Sequence, residues 1–152
     1  IDIQKTEEDG SVTILDYKCT SVWSIIFGKD SWAEQLNFYA YLVRKCKNLQ
    51  VNKLQIVAVL RDWKQSEAEF KPDYPKSPIV IVGVPLWPTS QQDEFVEERV
   101  RIHQQAEQDY LNDEPIQKCS EAEFRKGESV RCEKYCAVAR FCPQFQSDFK
   151  LT

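Results

Sequence analysis

The chain has 152 residues, 42% of them hydrophobic and 29% charged, which is ordinary for a soluble globular protein with a core of its own. Its longest apolar stretch, Ile79 to Trp87, is too short to span a bilayer, and no basic-then-apolar signal peptide opens the sequence. The net charge of −4 argues against a protein that coats nucleic acid without specificity, but leaves room for a local cationic patch.

In chain order, Ile1–Lys5 and Val12–Tyr17 read as two strands of a hairpin, with Asp9-Gly10 at the tip of the turn. The absence of any methionine, and an opening inside a strand, predict a segment ahead of Ile1. Thr20–Asp30 is a connection with apolar content. Ser31, with Glu34 three residues on, predicts a capping box at the start of a helix that runs to about Cys46. Leu36, Tyr39, Ala40 and Val43 form its apolar face, and Gln35 and Tyr39 are i and i+4 neighbours.

Leu54–Leu60 reads as a third strand, apolar on both faces at its later end, as suits a central strand. Pro78–Leu86 is a fourth of similar character, and Arg61–Ser77 between them reads as a long loop, functional or mobile. Thr89 or Ser90 caps a second helix to about Tyr110, with Phe95, Val96, Val100, Ile102 and Ala106 as its stripe. The order of elements predicts an α/β fold around one mixed sheet. The domain reading is a core over residues 1–112 and a short cysteine-rich tail over 113–152 that packs on it.

Asp16 and Lys18 stand two apart at the end of a strand and so leave it on one face. A carboxylate beside an ammonium can bring a hard divalent ion and a cation to one phosphate. Asp2, across the hairpin, supplies a second carboxylate, and the Tyr17 carbonyl, between the two functional side chains, is a third candidate oxygen. Taken singly, Asp16 and Lys18 are as easily a turn former and a solvated surface charge; the ordered set with Gln35 and Tyr39 carries the specificity. Lys45, Lys47, Lys53, Arg61 and Lys64 are candidates for a substrate-facing patch. His103, the single histidine, reads as structural or surface, and no nucleophile-elbow motif accompanies it.

Asp2, Asp16-x-Lys18 and Gln35-x-x-x-Tyr39 together resemble the RecB-like branch of the PD-(D/E)xK nucleases, especially phage-encoded members and CRISPR-associated adaptation exonucleases. Asp16-Tyr17-Lys18-Cys19-Thr20-Ser21 and Glu34–Leu42 are similar to family text. The family's glycine before this aspartate, and the helix ahead of it with a metal-binding histidine or glutamate, have no counterpart here. The resemblance implies a restriction-endonuclease-like core, a mixed sheet flanked by helices. It implies a Mg²⁺- or Mn²⁺-dependent DNA nuclease, an exonuclease, in recombination, repair or phage DNA processing. Asp2, Asp16, Lys18, Gln35 and Tyr39 would be catalytic, with Gln35 and Tyr39 orienting Lys18 or the DNA backbone. The partner is DNA, with other recombination or repair proteins as further candidates. The setting is the cytoplasm of a bacterial or phage-infected cell. The competing readings are a nuclease-like fold without catalysis, serving nucleic-acid binding or assembly, and a small zinc-binding interaction domain.

Cys119, Cys132, Cys136 and Cys142 cluster near the C-terminus. Four thiolates suit a structural 4Fe–4S cluster or Zn²⁺, with free thiols or disulfides as the other options. Cys132-x₃-Cys136-x₅-Cys142 is similar to the cysteine triplet of RecB-like iron–sulfur nucleases, one residue longer in the first gap. Cys19 and Cys46 read as small buried hydrophobes.

Overall fold

The computed structural model describes residues 1–115, 130–134, 136–137, 139–143 and 145. It divides into two compact units, Ile1–Val100 and Arg101–Thr152. The first unit is built on a mixed sheet of four strands in the order β1 (Ile3–Thr6), β2 (Val12–Thr20), β3 (Val51–Leu60) and β4 (Ile79–Val84). β2 and β3 are parallel, and the outer pairs are antiparallel. Helices flank this sheet, as the restriction-endonuclease-like α/β reading requires.

The β1–β2 hairpin turns where the sequence says it should. Gly10 sits at φ 81°, a conformation open to glycine without strain. Asp9 Oδ1 accepts hydrogen bonds from the Ser11 N–H (2.9 Å) and hydroxyl (2.5 Å), locking the turn. α1 (Trp23–Ile26) and α2 (Asp30–Lys47) then carry the chain back so that β3 can pair parallel to β2. The capping box does not form: α2 starts at Asp30 with Lys29 at its N-cap and no side-chain cap. It ends on Asn48 at φ 52°, a left-handed stop that asparagine tolerates.

One face of the sheet makes the core. Val12, Ile14, Leu54, Ile56, Ala58 and Leu60 meet Trp32, Leu36, Ala40 and Val43 of α2, all buried. Each large aliphatic among them contributes about 1.5–3 kcal/mol by its removal from water. Asn37, 1% exposed, is the polar tie in this layer. Its Nδ2 donates to the Pro85 carbonyl at 2.9 Å, and its Oδ1 accepts the Trp87 N–H at 2.8 Å. The opposite face is more open, with Tyr17, Val59, Ile79 and Ile81 exposed.

β3 is central, as its two apolar faces predict, but β4 is an edge strand with alternating exposure. The stretch from Arg61 to Ser77 is not all loop: it contains the short helix α3 (Gln65–Phe70). Cys19 and Cys46 are exposed, not buried: Cys19 falls on the odd-numbered face of β2, away from the core. α4 (Thr89–Leu111) buries Gln92 and Val96, while Val100 is 48% exposed, so the predicted stripe is buried only in its first turns. His103 is exposed.

In the second unit, α5 (Val130–Lys134) and a 3₁₀ turn (Ala139–Phe141) are described. Cys119 lies outside the described residues. No helix among the described residues is long and apolar enough to cross a membrane.

Candidate active site

The core-facing side of β2 reads Val12, Ile14, Asp16, Lys18, Thr20. Asp16 continues an apolar row and is 3% exposed. Lys18 follows on the same side, half-buried, with Nζ 2.5 Å from Asp16 Oδ2. The contact has ion-pair distance without hydrogen-bond geometry. Asp16 Oδ2 is thus a buried oxygen met by the Lys18 ammonium. Buried carboxylate oxygens are normally satisfied, and here the Lys18 ammonium supplies the counter-charge that a bound cation would have to share or replace.

Asp2 lies one step beyond the β1–β2 ladder. The last registered pair is Ile3 with Leu15, which puts Asp2 opposite Asp16. Its carboxylate is fixed there by the Tyr17 N–H, which donates to Asp2 Oδ2 at 2.7 Å. In an extended strand the N–H and C=O of one residue leave on the same edge. The Tyr17 carbonyl thus points along the β1 edge of β2, the edge on which Asp2 is held. Two carboxylates and one main-chain carbonyl are gathered at a single strand crossing.

Gln35 and Tyr39 pair on α2, with Gln35 Nε2 donating to Tyr39 Oη at 2.7 Å. Tyr39 packs against the core. Because its oxygen accepts from Gln35, its own proton is free to be donated elsewhere. Among the described residues, neither side chain reaches Asp16 or Lys18 by a hydrogen bond or ion pair.

The family model for the PD-(D/E)XK nuclease superfamily matches residues 1–143. The chain belongs to this superfamily. No curated protein and no solved structure matches it. Membership supports nuclease chemistry in general, with DNA as the substrate.

PD-(D/E)XK nucleases generally work with Mg²⁺ or Mn²⁺, and the residues at the crossing of β1 and β2 fit such an ion. The available donors are all hard oxygens, the type these ions select. The buried Asp16 carboxylate, with Asp2 opposite it in the strand register, is the observation that makes the fit specific.

The other candidate centre fares differently. Cys132, Cys136 and Cys142 are half-buried free thiols. Among the described residues no three or more His, Cys, Asp or Glu side chains stand where they could hold a metal. The candidate basic patch also divides. Lys53 and Arg61 stand near opposite ends of β3 and just past it, about 26 Å apart at the rise of a strand. Lys45 is 3.5 Å from Asp93, and Lys47 donates to Gln4 at 2.6 Å.

Asp62 is the residue that sequence reasoning missed in this PD-(D/E)XK core. Its Oδ2 accepts the Ser21 hydroxyl at 2.6 Å and its Oδ1 the Val22 N–H at 2.8 Å. The Ser21 hydroxyl, then the Val22 amide, hold its carboxyl below the usual aspartate range. Asp62 so fixes the exit of β2 at Ser21 and Val22, just beyond Lys18. Forty residues separate the partners, and no local pattern marks them.

Proposed function

We propose that this chain is a divalent-metal-dependent DNA nuclease that hydrolyses phosphodiester bonds from an end, as an exonuclease in recombination, repair or phage DNA processing. The observation that carries the reading is the Asp16–Lys18 pair on one face of β2, with Asp2 held across from it by the Tyr17 N–H.

Asp2, Asp16 and the Tyr17 carbonyl would hold Mg²⁺ or Mn²⁺. That ion, when bound, lowers the pKa of an attacking water and neutralises charge on the phosphate. Lys18 presents a compact ammonium beside the same carboxylate, placed to stabilise charge that grows on the phosphate oxygens in the transition state. Its partial burial strengthens that interaction relative to water. Gln35 holds Tyr39 in one orientation, and once substrate is seated the Tyr39 hydroxyl donates to a backbone phosphate or its oxygen accepts from the Lys18 ammonium. The iron–sulfur or zinc centre read from the cysteines has no support among the described residues and plays no part in this mechanism.

A second reading, a nucleic-acid-binding module without catalysis, is favoured by one fact: among the described residues the β1–β2 pair brings two carboxylates to the site, one of them exposed. End-labelled linear DNA and closed circular DNA, incubated with Mg²⁺ and with a chelator, separate the readings. Mg²⁺-dependent loss of the linear substrate alone supports the exonuclease. Cleavage of the circle contradicts end dependence. Retention of both with measurable DNA binding supports the second reading.

A further inference from the structure

Trp23 and Phe27 are 59% and 79% exposed, although aromatic rings of this size normally bury most of their surface. They lie one turn apart at α1, and their rings stack at 5.7 Å with an interplanar angle of 12°. The result is a largely exposed aromatic step. Its mounting is firm. Asp62 pins Ser21 and Val22, Thr20 donates to the buried Ser24 hydroxyl at 2.8 Å, and Gly28 at φ 72° turns the chain away directly after Phe27. This step stands five residues past Lys18, at the end of the strand that carries the candidate site.

Trp23 also lines an open cavity of about 560 Å³, together with Lys64, Glu67, Lys71, Asp73 and Tyr74. Three carboxylates (with Asp62) and two ammoniums line it. Glu67 is paired to Lys71, and both oxygens of Asp62 are engaged. Such a cleft does not draw phosphates, so it is no seat for the outside of a duplex. It suits an unpaired base, which offers a π-face to an aromatic ring and a polar edge to mixed donors and acceptors. Stacking of this kind is indifferent to sequence, because every base has a π-face.

We propose that the Trp23–Phe27 step and the cleft beside it seat an unpaired nucleobase. The inference rests on the nuclease reading for its purpose but not for its test. Fluorescence anisotropy with a labelled oligothymidylate and with a duplex of equal length, in chelator and at one salt concentration, measures binding without cleavage. The wild type binds the single strand more tightly than the duplex. Trp23→Ala weakens the single strand about tenfold to a hundredfold, the usual range for loss of one stacking ring. Trp23→Phe restores most of that loss, and duplex binding is unchanged in both variants. Equal single-strand affinity in wild type and Trp23→Ala, or a wild type that prefers duplex, overturns the proposal. Cleavage with Mg²⁺ is read separately. Single-strand binding that depends on Trp23 with no cleavage removes the nuclease reading and leaves the seat. Cleavage with a single-strand KM unaffected by Trp23→Ala does the reverse.

Discussion

Asp2 accepts a 2.7 Å hydrogen bond from the main-chain N–H of Tyr17, and this one contact carries the hairpin past its last ladder pair and sets a carboxylate opposite Asp16. The bond has two separable consequences, a structural clip and a placed negative charge. Asp2→Asn keeps an oxygen that can accept from Tyr17 but removes the charge. It is expected to lower Mn²⁺ affinity at least about tenfold with an unchanged melting temperature. Asp2→Ala is expected to lower both. Isothermal titration with Mn²⁺ and a thermal melt check the pair, and equal Mn²⁺ affinity in wild type and Asp2→Asn removes Asp2 from the ligand set.

Lys18 competes with any cation for Asp16, since its Nζ already lies 2.5 Å from Oδ2. Lys18→Ala leaves a buried carboxylate without its counter-charge, so cation affinity is expected to hold or rise. The chemical step is expected to fall by about 10²–10³, the usual cost of one transition-state charge contact. Single-turnover rates at saturating metal measure the second effect, and Mn²⁺ titration the first. Loss of metal affinity with normal turnover contradicts the role given to Lys18.

Asn37 ties α2 to the segment after β4 through the Pro85 carbonyl and the Trp87 N–H. Asn37→Leu leaves both part-buried main-chain groups without their partner. Each unsatisfied group costs about 1–3 kcal/mol, so a loss of about 2–6 kcal/mol is expected. The midpoint of urea unfolding measures it. A change below about 0.5 kcal/mol, the scale of an ordinary surface substitution, contradicts the buried-tie account.

The hairpin, α2 and the central place of β3 were legible because each has a local signal: an Asp-Gly turn, an apolar face with period 3.6, and a strand apolar on both sides. Asp16 and Lys18 were legible for the same reason, as two residues on one strand face. What the sequence hid is long-range or too short for a period. α3 is six residues, less than two turns, so its pattern cannot rise above a loop. The edge position of β4 follows from strand order, which no stretch of β4 encodes. Cys19 is exposed because strand alternation puts it opposite Lys18, a consequence that the hydrophobic character of cysteine conceals. The basic patch divided because β3 carries Lys53 and Arg61 to its two ends.

Acid stability follows from Asp62 and Asp93. The Ser21 hydroxyl and Val22 amide hold the Asp62 carboxyl low, and the Arg44 guanidinium, 2.5 Å away, does the same for Asp93 with help from Lys45. A folded value below the unfolded one means that the unfolded chain binds more protons in acid. The stability from these carboxylates is therefore complete above about pH 5 and is lost as pH falls through the folded values, below the usual aspartate value of about 3.9. Melting temperatures from neutral pH downward are expected to fall through that window, and to fall less steeply in Asp93→Asn. Equal acid slopes in the two proteins contradict the assignment.

The central claim is that Asp16, buried beside Lys18 on β2, holds the divalent ion with which this chain cuts DNA. Single-turnover cleavage of an end-labelled DNA by Asp16→Asn, with Mg²⁺ and with Mn²⁺, tests it most directly. The substitution conserves shape and removes the charge. The account predicts cleavage at least about 10²-fold slower with either ion in a protein that still unfolds cooperatively. Cleavage at the wild-type rate would contradict it.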